Sequence, residues 1–238
     1  MRVKRQAKVA EEVAGDILNR ICSGEFPVNS RLPSEAAMLA DYGVGRASLR
    51  ESLRILEIHG IVRIKAGPGG GPVVMAHRSA DFARMAKVFF QVEGMTFAEV
   101  VQARLLLEPF FARMAALTRH PEFMDDLMKS SLSLKDDERY LKSSRDFHRL
   151  IGSMSSNRLL NLFAHALADI FHERVAGVLY PEEERHRVAE EHQAIAEAIN
   201  AGNADLAESL MRKHMEDYSN YVSERYPALL NEVVRWMP

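Results

Sequence analysis

The run Ala66-Gly67-Pro68-Gly69-Gly70-Gly71-Pro72 constrains this chain more than any other stretch. Six of its seven residues are glycine or proline, a density that the interior of a helix does not tolerate. Ile61–Ile64 precedes it and Val73-Val74-Met75 follows it. Both flanks are rich in β-branched residues, so the local reading is strand, loop, strand: a small hairpin. From Asp81 almost to the end the apolar residues recur at helical spacing. The run therefore divides the chain into a head, residues 1–77, and a body, residues 78–238.

Charge follows the same division. The 238 residues carry a formal net charge of −2, which taken alone argues against a nucleic-acid binder. Residues 1–77 hold eleven Lys/Arg and eight Asp/Glu, a balance of +3; the other twenty basic and twenty-five acidic residues leave the body at −5. Near neutrality is thus a cancellation between a mildly basic head and an acidic body, and such asymmetry points to divided function. The hydrophobic share of 47% is enough to build cores, which argues against wholesale disorder. A single cysteine, Cys22, excludes a disulfide framework or a cysteine-rich zinc finger and fits a reducing cytoplasm. No stretch approaches the roughly 18 apolar residues of a membrane span. The amino terminus, with Arg2, Lys4, Arg5 and Lys8, turns amphipathic rather than apolar, unlike a signal peptide. The expectation is a cytoplasmic protein with no membrane partner.

The head reads as three helices and a hairpin. Val9, Val13, Ile17, Leu18 and Ile21 give the first helix its apolar stripe, and Ser23-Gly24 ends it. Ser34 is placed to cap a short second helix over Ala36–Tyr42. Gly43-Val44-Gly45 makes a tight turn, and a third helix runs from about Arg46 to His59 on Leu49, Leu53, Leu56 and Ile58. Two short helices joined by a glycine-containing turn match the helix-turn-helix pattern, whose second helix enters the major groove by its amino-terminal end. Here that end carries Arg46, Ser48 and Arg50, with Arg54 a turn further on. Arginine suits both guanine edges and phosphates.

The runs Arg31-Leu32-Pro33-Ser34-Glu35, Tyr42-Gly43-Val44-Gly45-Arg46-Ala47-Ser48-Leu49-Arg50-Glu51-Ser52-Leu53 and Leu56-Glu57-Ile58-His59-Gly60-Ile61-Val62 carry a resemblance. Over about residues 8–76 the head resembles the winged helix-turn-helix of the GntR superfamily of bacterial transcription regulators. The resemblance implies DNA contacts by Arg46 and Arg50 and a wing over Lys65–Gly71 with Gly67 at its tip. Ala36 stands where the resembled family often has arginine and Ala66 where some relatives have histidine, which bears on the operator sequence read. Lys65 is a candidate phosphate contact.

The body is read as helices at about 81–91, 96–117, 121–134, 138–153, 157–178, 182–201 and 203–223, with a tail helix at 227–236, packed as an antiparallel bundle. The fold class expected is mostly α: a winged helix-turn-helix followed by an all-α bundle. Arg104-Leu105-Leu106-Leu107-Glu108-Pro109, Phe147-His148 followed by Asn157, Glu191-His192 followed by Ala198-Ile199-Asn200-Ala201-Gly202, and His214 resemble the FadR-type effector domain of the same superfamily, known as FCD, over about residues 80–222. This resemblance implies a homodimer that binds a small organic acid or acyl compound.

Three histidines stand apart from the other six. His148 shares a helical face with Ser144 and Ile151, His192 with Ile195, Ala196 and Ile199, and His214 with Ala207, Leu210, Met211 and Tyr218. Three inward imidazoles converging in a bundle core suit zinc, nickel or a similar divalent ion with open coordination positions. The alternative is a metal-free pocket in which they hydrogen-bond the effector directly. In metal-binding members of the resembled family an aspartate stands four residues before the Phe-His histidine; here that position is Ser144, and Asp146 lies on another side of the helix. Arg104 reads either as a carboxylate anchor for the effector or as a surface ion pair with Glu108. His165 and His172 read as a second pocket wall or as a polar face. A ligand-responsive repressor leads this reading. A metal-dependent hydrolase is opposed by the lack of an HExxH motif and of a nucleophile elbow. A pure metal sensor is the third alternative.

Overall fold

The computed structural model describes residues 2–67, 70–76, 79–131, 136–175 and 181–236. Wing positions 68 and 69, the expected continuation of helices to 134 and 178, and the boundary at 77/78 lie outside the described residues. The chain forms two compact units, Met1–Arg78 and Ser79–Pro238.

In the first unit α1 (Arg2–Cys22), α2 (Glu35–Tyr42) and α3 (Arg46–Ile58) precede an antiparallel hairpin of β1 (Val62–Lys65) and β2 (Gly71–Val74). Helix α1 begins seven residues before its first expected apolar position. Arg, Lys, Gln and Ala are good helix formers and sustain a helix there by propensity. Its core side is Ala10, Val13, Ala14 and Ile17, so two alanines complete the stripe that the larger residues outline. The Ser34 hydroxyl accepts from the Ala37 amide at 3.2 Å, capping α2 as the sequence predicts. Gly43 closes α2 in the left-handed conformation, at φ 61°, which glycine adopts without strain. Leu49, Leu53 and Leu56 of α3 are buried, but Ile58 is 64% exposed: two residues beyond Leu56 it has turned about 200° away from the core. The hairpin pairs Val62 with Val74 and Lys65 with Gly71, and the segment at Arg31 bridges to Val73 on the other edge of β2.

Among the described residues the regular elements of the second unit are all helices: α4 (Ser79–Val92), α5 (Phe97–Thr118), α6 (Pro121–Ser130), α7 (Asp137–Ser153), α8 (Arg158–Val175), α9 (Glu182–Asn200), α10 (Ala204–Arg225) and α11 (Pro227–Leu230). Helix α5 packs along α10, α7 along α8, and α4 along α8. The main core joins Phe111 and Ala115 of α5, Leu127 of α6, Phe147 and Ile151 of α7, Ile195 and Ile199 of α9, and Met211 and Met215 of α10. The expected tail helix at 227–236 stops at Leu230. Beyond it the backbone pairs instead with the start of α5: Phe97 N–H donates to Glu232 O at 2.8 Å, and Val234 N–H to Met95 O at 2.9 Å.

Candidate functional site

The first unit presents its candidate DNA contacts to solvent. Arg46 and Arg50 on the first two turns of α3 are exposed, as are Arg54, Lys65 and Gly67; Ser48 is half-buried. Arg50 Nε lies 3.5 Å from Glu35 Oε1, a surface pair that solvent screens and that costs little to exchange for a phosphate. Gly67 adopts φ 94°, and a Cβ at Gly70 would lie 2.3 Å from the Lys65 carbonyl oxygen. The wing backbone therefore folds back on itself more closely than any side chain allows.

In the second unit His148 from α7, His192 from α9 and His214 from α10 meet in the core. All three are buried, and one ring nitrogen from each falls within 4.8 Å of the others. The Nε2 atoms of His192 and His214 are 3.2 Å apart. Phe147 stacks on the His192 ring with centroids 4.0 Å apart, which fixes that ring's plane. Two carboxylates orient the other two. Glu108 Oε2 is 3.0 Å from His148 Nδ1, and Glu191 Oε2 is 2.8 Å from His214 Nδ1. A carboxylate at Nδ1 holds the proton there and leaves Nε2 as the electron donor, the arrangement that ligating histidines require.

Electrostatics act in the same direction. Burial lowers His148 to about 4 although Glu108 opposes the shift, and burial, reinforced by the neighbouring histidines and Arg104, holds His192 well below the ordinary value. Both rings are therefore neutral at pH 7. Burial tends to raise the Glu108 carboxyl, but the charges of His148 and Arg104 overcome this and lower it to about 2.

Arg104 does pair with Glu108, but in the interior rather than on the surface. Its Nε and Nη2 both contact Glu108 Oε1, at 2.9 and 2.8 Å, with side chains only 3% and 6% exposed. The guanidinium also lies 4.0 Å over the Phe171 ring. Arg104, Ser144, His148 and His214 line one cavity of about 50 Å³, together with Arg145, His172, Tyr140 and Tyr218. Burial, aided by Arg145, also lowers His172, and burial raises Tyr140 to about 12, so both are neutral groups in the wall. His172 and His165 do not share a pocket wall. His165 Nε2 lies 3.0 Å from the Arg149 carbonyl oxygen and 2.9 Å from Ser153 Oγ, in a separate, open groove. Asp146 does not join the group of His148, His192 and His214; Lys142 binds it at 3.0 Å.

The residues missed by sequence reasoning are the two carboxylates as histidine partners, and Arg145. Glu108 was legible only as a helix neighbour of Arg104, since its bond to His148 crosses forty residues.

Residues 9–71 match the family model "Bacterial regulatory proteins, gntR family", and residues 99–217 match "FCD domain". The chain is similar to the HTH-type transcriptional repressor NanR of Escherichia coli K12, 30% identical over 223 residues that span 89% of this chain and 83% of the relative. It is also similar to NanR of Klebsiella aerogenes, 29% identical over 225 residues, 89% and 84% of the two chains. Among solved structures, Streptococcus agalactiae GntR superposes with a TM-score of 0.68 at 21% identity, over 89% of this chain and 99% of that one, which supports the fold. No helix among the described residues is long and apolar enough to cross a membrane. A winged amino-terminal unit and a helical FCD unit thus follow one another in one chain, which belongs to the gntR family of bacterial regulatory proteins and is a ligand-responsive, DNA-binding transcription regulator.

Proposed function

We propose that the protein is a cytoplasmic, homodimeric repressor of the FadR type whose hold on its operator changes when a small organic acid enters the histidine cavity. The observation that carries this reading is one cavity lined by Arg104, Ser144, His148 and His214, in a chain whose other unit exposes Arg46 and Arg50. The repressor names of the NanR relatives favour repression. Two recognition helices of a dimer would sit on successive half-sites of a near-palindromic operator. Arg46, Ser48 and Arg50 would reach base edges and phosphates there, Lys65 a phosphate, and Gly67 would let the wing backbone approach the minor groove. A volume of about 50 Å³ favours a small acid over a long acyl chain. Effector binding that favours one placement of the two units would change DNA affinity by linkage.

His148, His192 and His214 would hold a divalent ion such as zinc or nickel. The donor set fits: the imidazoles are buried, two have Nδ1 held by carboxylates, and two Nε2 atoms stand 3.2 Å apart. Zinc–nitrogen bonds near 2.0 Å at a tetrahedral angle separate two nitrogens by about 3.3 Å. Such an ion supplies Lewis acidity toward the effector's carboxylate. Ser144 leaves that side of the site open to water or effector. Binding rather than catalysis is favoured because Glu108 and Glu191, the two carboxylates bonded to these histidines, are engaged at Nδ1 and unavailable as general bases.

Fluorescence anisotropy with a labelled fragment of the protein's own promoter and with unrelated DNA of equal length tests this reading. Binding to the promoter fragment at least about a thousandfold tighter is expected of a specific regulator. Equal affinity for the two would overturn it.

A further inference from the structure

Two arginines and three histidines, Arg104, Arg145, His148, His172 and His214, line the histidine cavity, and no Asp or Glu does among the described residues. The two arginines differ in what balances them. Arg104 is matched inside the core by Glu108. Arg145 is not matched in this way. Its Nε is buried and has no hydrogen-bond partner among the described residues, while 28% of the side chain remains accessible. Asp146 Oδ1 lies 3.5 Å from that nitrogen, too far and too poorly aligned to accept a hydrogen bond from it, while the other oxygen of that carboxylate, Oδ2, is bound by Lys142. A buried donor without an acceptor is costly, and one on a cavity wall finds its acceptor in whatever enters the cavity. Arg145 is also three residues from His148 on α7, which puts both on one face of that helix.

We propose that Arg145 anchors a second acidic group of the effector, so that the ligand is a small dianion, a short dicarboxylate, rather than a monocarboxylate. One carboxylate faces the histidine centre, and the other meets the planar fork of Arg145, whose parallel donors match carboxylate geometry. The apolar parts of the wall, such as Leu141, Phe171 and Met215, accommodate the carbons between the two charges. Arg104 then serves mainly to position Glu108, and through it His148. This inference rests on the proposed reading of the cavity as the effector site.

Isothermal titration of the full-length protein with malonate and with propionate tests it, since the two acids have the same number of carbons and differ by one charge. Malonate is expected to bind at least about tenfold more tightly than propionate, a ratio in line with one charge-assisted contact. Arg145→Gln should erase that preference, Arg145→Lys should retain part of it, and both variants should bind operator DNA as the parent does. Equal affinity for the two acids in the parent, or an equal loss of both in Arg145→Gln, would overturn the role of Arg145 while leaving the cavity as the effector site. Failure of both acids to bind at millimolar concentration, with operator binding intact, would overturn the small-acid reading of the cavity and this inference with it.

Discussion

Replacing Glu108 by leucine isolates the interaction that organises the interior of the effector unit. The carboxylate bridges Arg104 and His148, and all three side chains are almost fully buried. Leucine leaves the Arg104 guanidinium in the interior without a counter-charge, and breaking a buried pair in this way costs about 3–5 kcal/mol. For a chain of this size one kcal/mol corresponds to about 2–4 °C in Tm, so the expected drop is about 10 °C. The double variant Arg104→Met/Glu108→Leu removes both charges. It should recover most of the loss, because well-packed apolar residues replace buried pairs at little cost. A residue of about 1 kcal/mol should remain, since His148 still lacks its partner. Urea unfolding followed by circular dichroism, with chelator present so that bound metal does not contribute, measures all three proteins. A loss below about 1 kcal/mol in Glu108→Leu, or a double variant as unstable as the single one, would refute the claim that an interior charge pair holds this site together.

Acid titration should lower stability in two windows. His148 is depressed in the folded state, so its contribution falls as pH drops from about 6.5 to about 4; Glu108, held at about 2, loses its contribution between about 4.5 and 2. Stability unchanged between pH 6.5 and 4 would contradict the burial of His148. Gly152 lets α7 and α8 approach, because a Cβ there would lie 2.5 Å from the Ala164 Cβ; Gly152→Ala should cost about 1–3 kcal/mol in the same unfolding assay, and no loss would show that the helices separate freely. Arg46→Ala should weaken operator binding by about 1–3 kcal/mol while sparing unrelated DNA. Equal losses on both would assign it to phosphate alone.

Local patterns made the fold readable. The glycine-rich run located the hairpin, Ser34 the cap of α2, and three leucines the face of α3. The tail beyond Leu230 escaped, because its partners are the backbone atoms of Met95 and Phe97, which helical periodicity does not report. The histidines were legible for the same reason as the core, each standing among apolar neighbours one helical turn away. Their supports were not. Glu108 and Glu191 reach histidines forty and twenty-three residues distant, and Arg145 acquires meaning only from a cavity whose wall is drawn from several helices. Pairings across helices depend on packing angles that no single helix encodes.

The zinc stoichiometry of the full-length protein and of His192→Ala, measured by isothermal titration, tests the three-histidine centre most directly. His192 presents its Nε2 to His214 from a ring stacked on Phe147, within the helical unit. One zinc ion per chain is expected in the parent and none in the variant, with operator affinity without effector unchanged. Equal zinc binding by the two proteins would contradict a centre built from His148, His192 and His214.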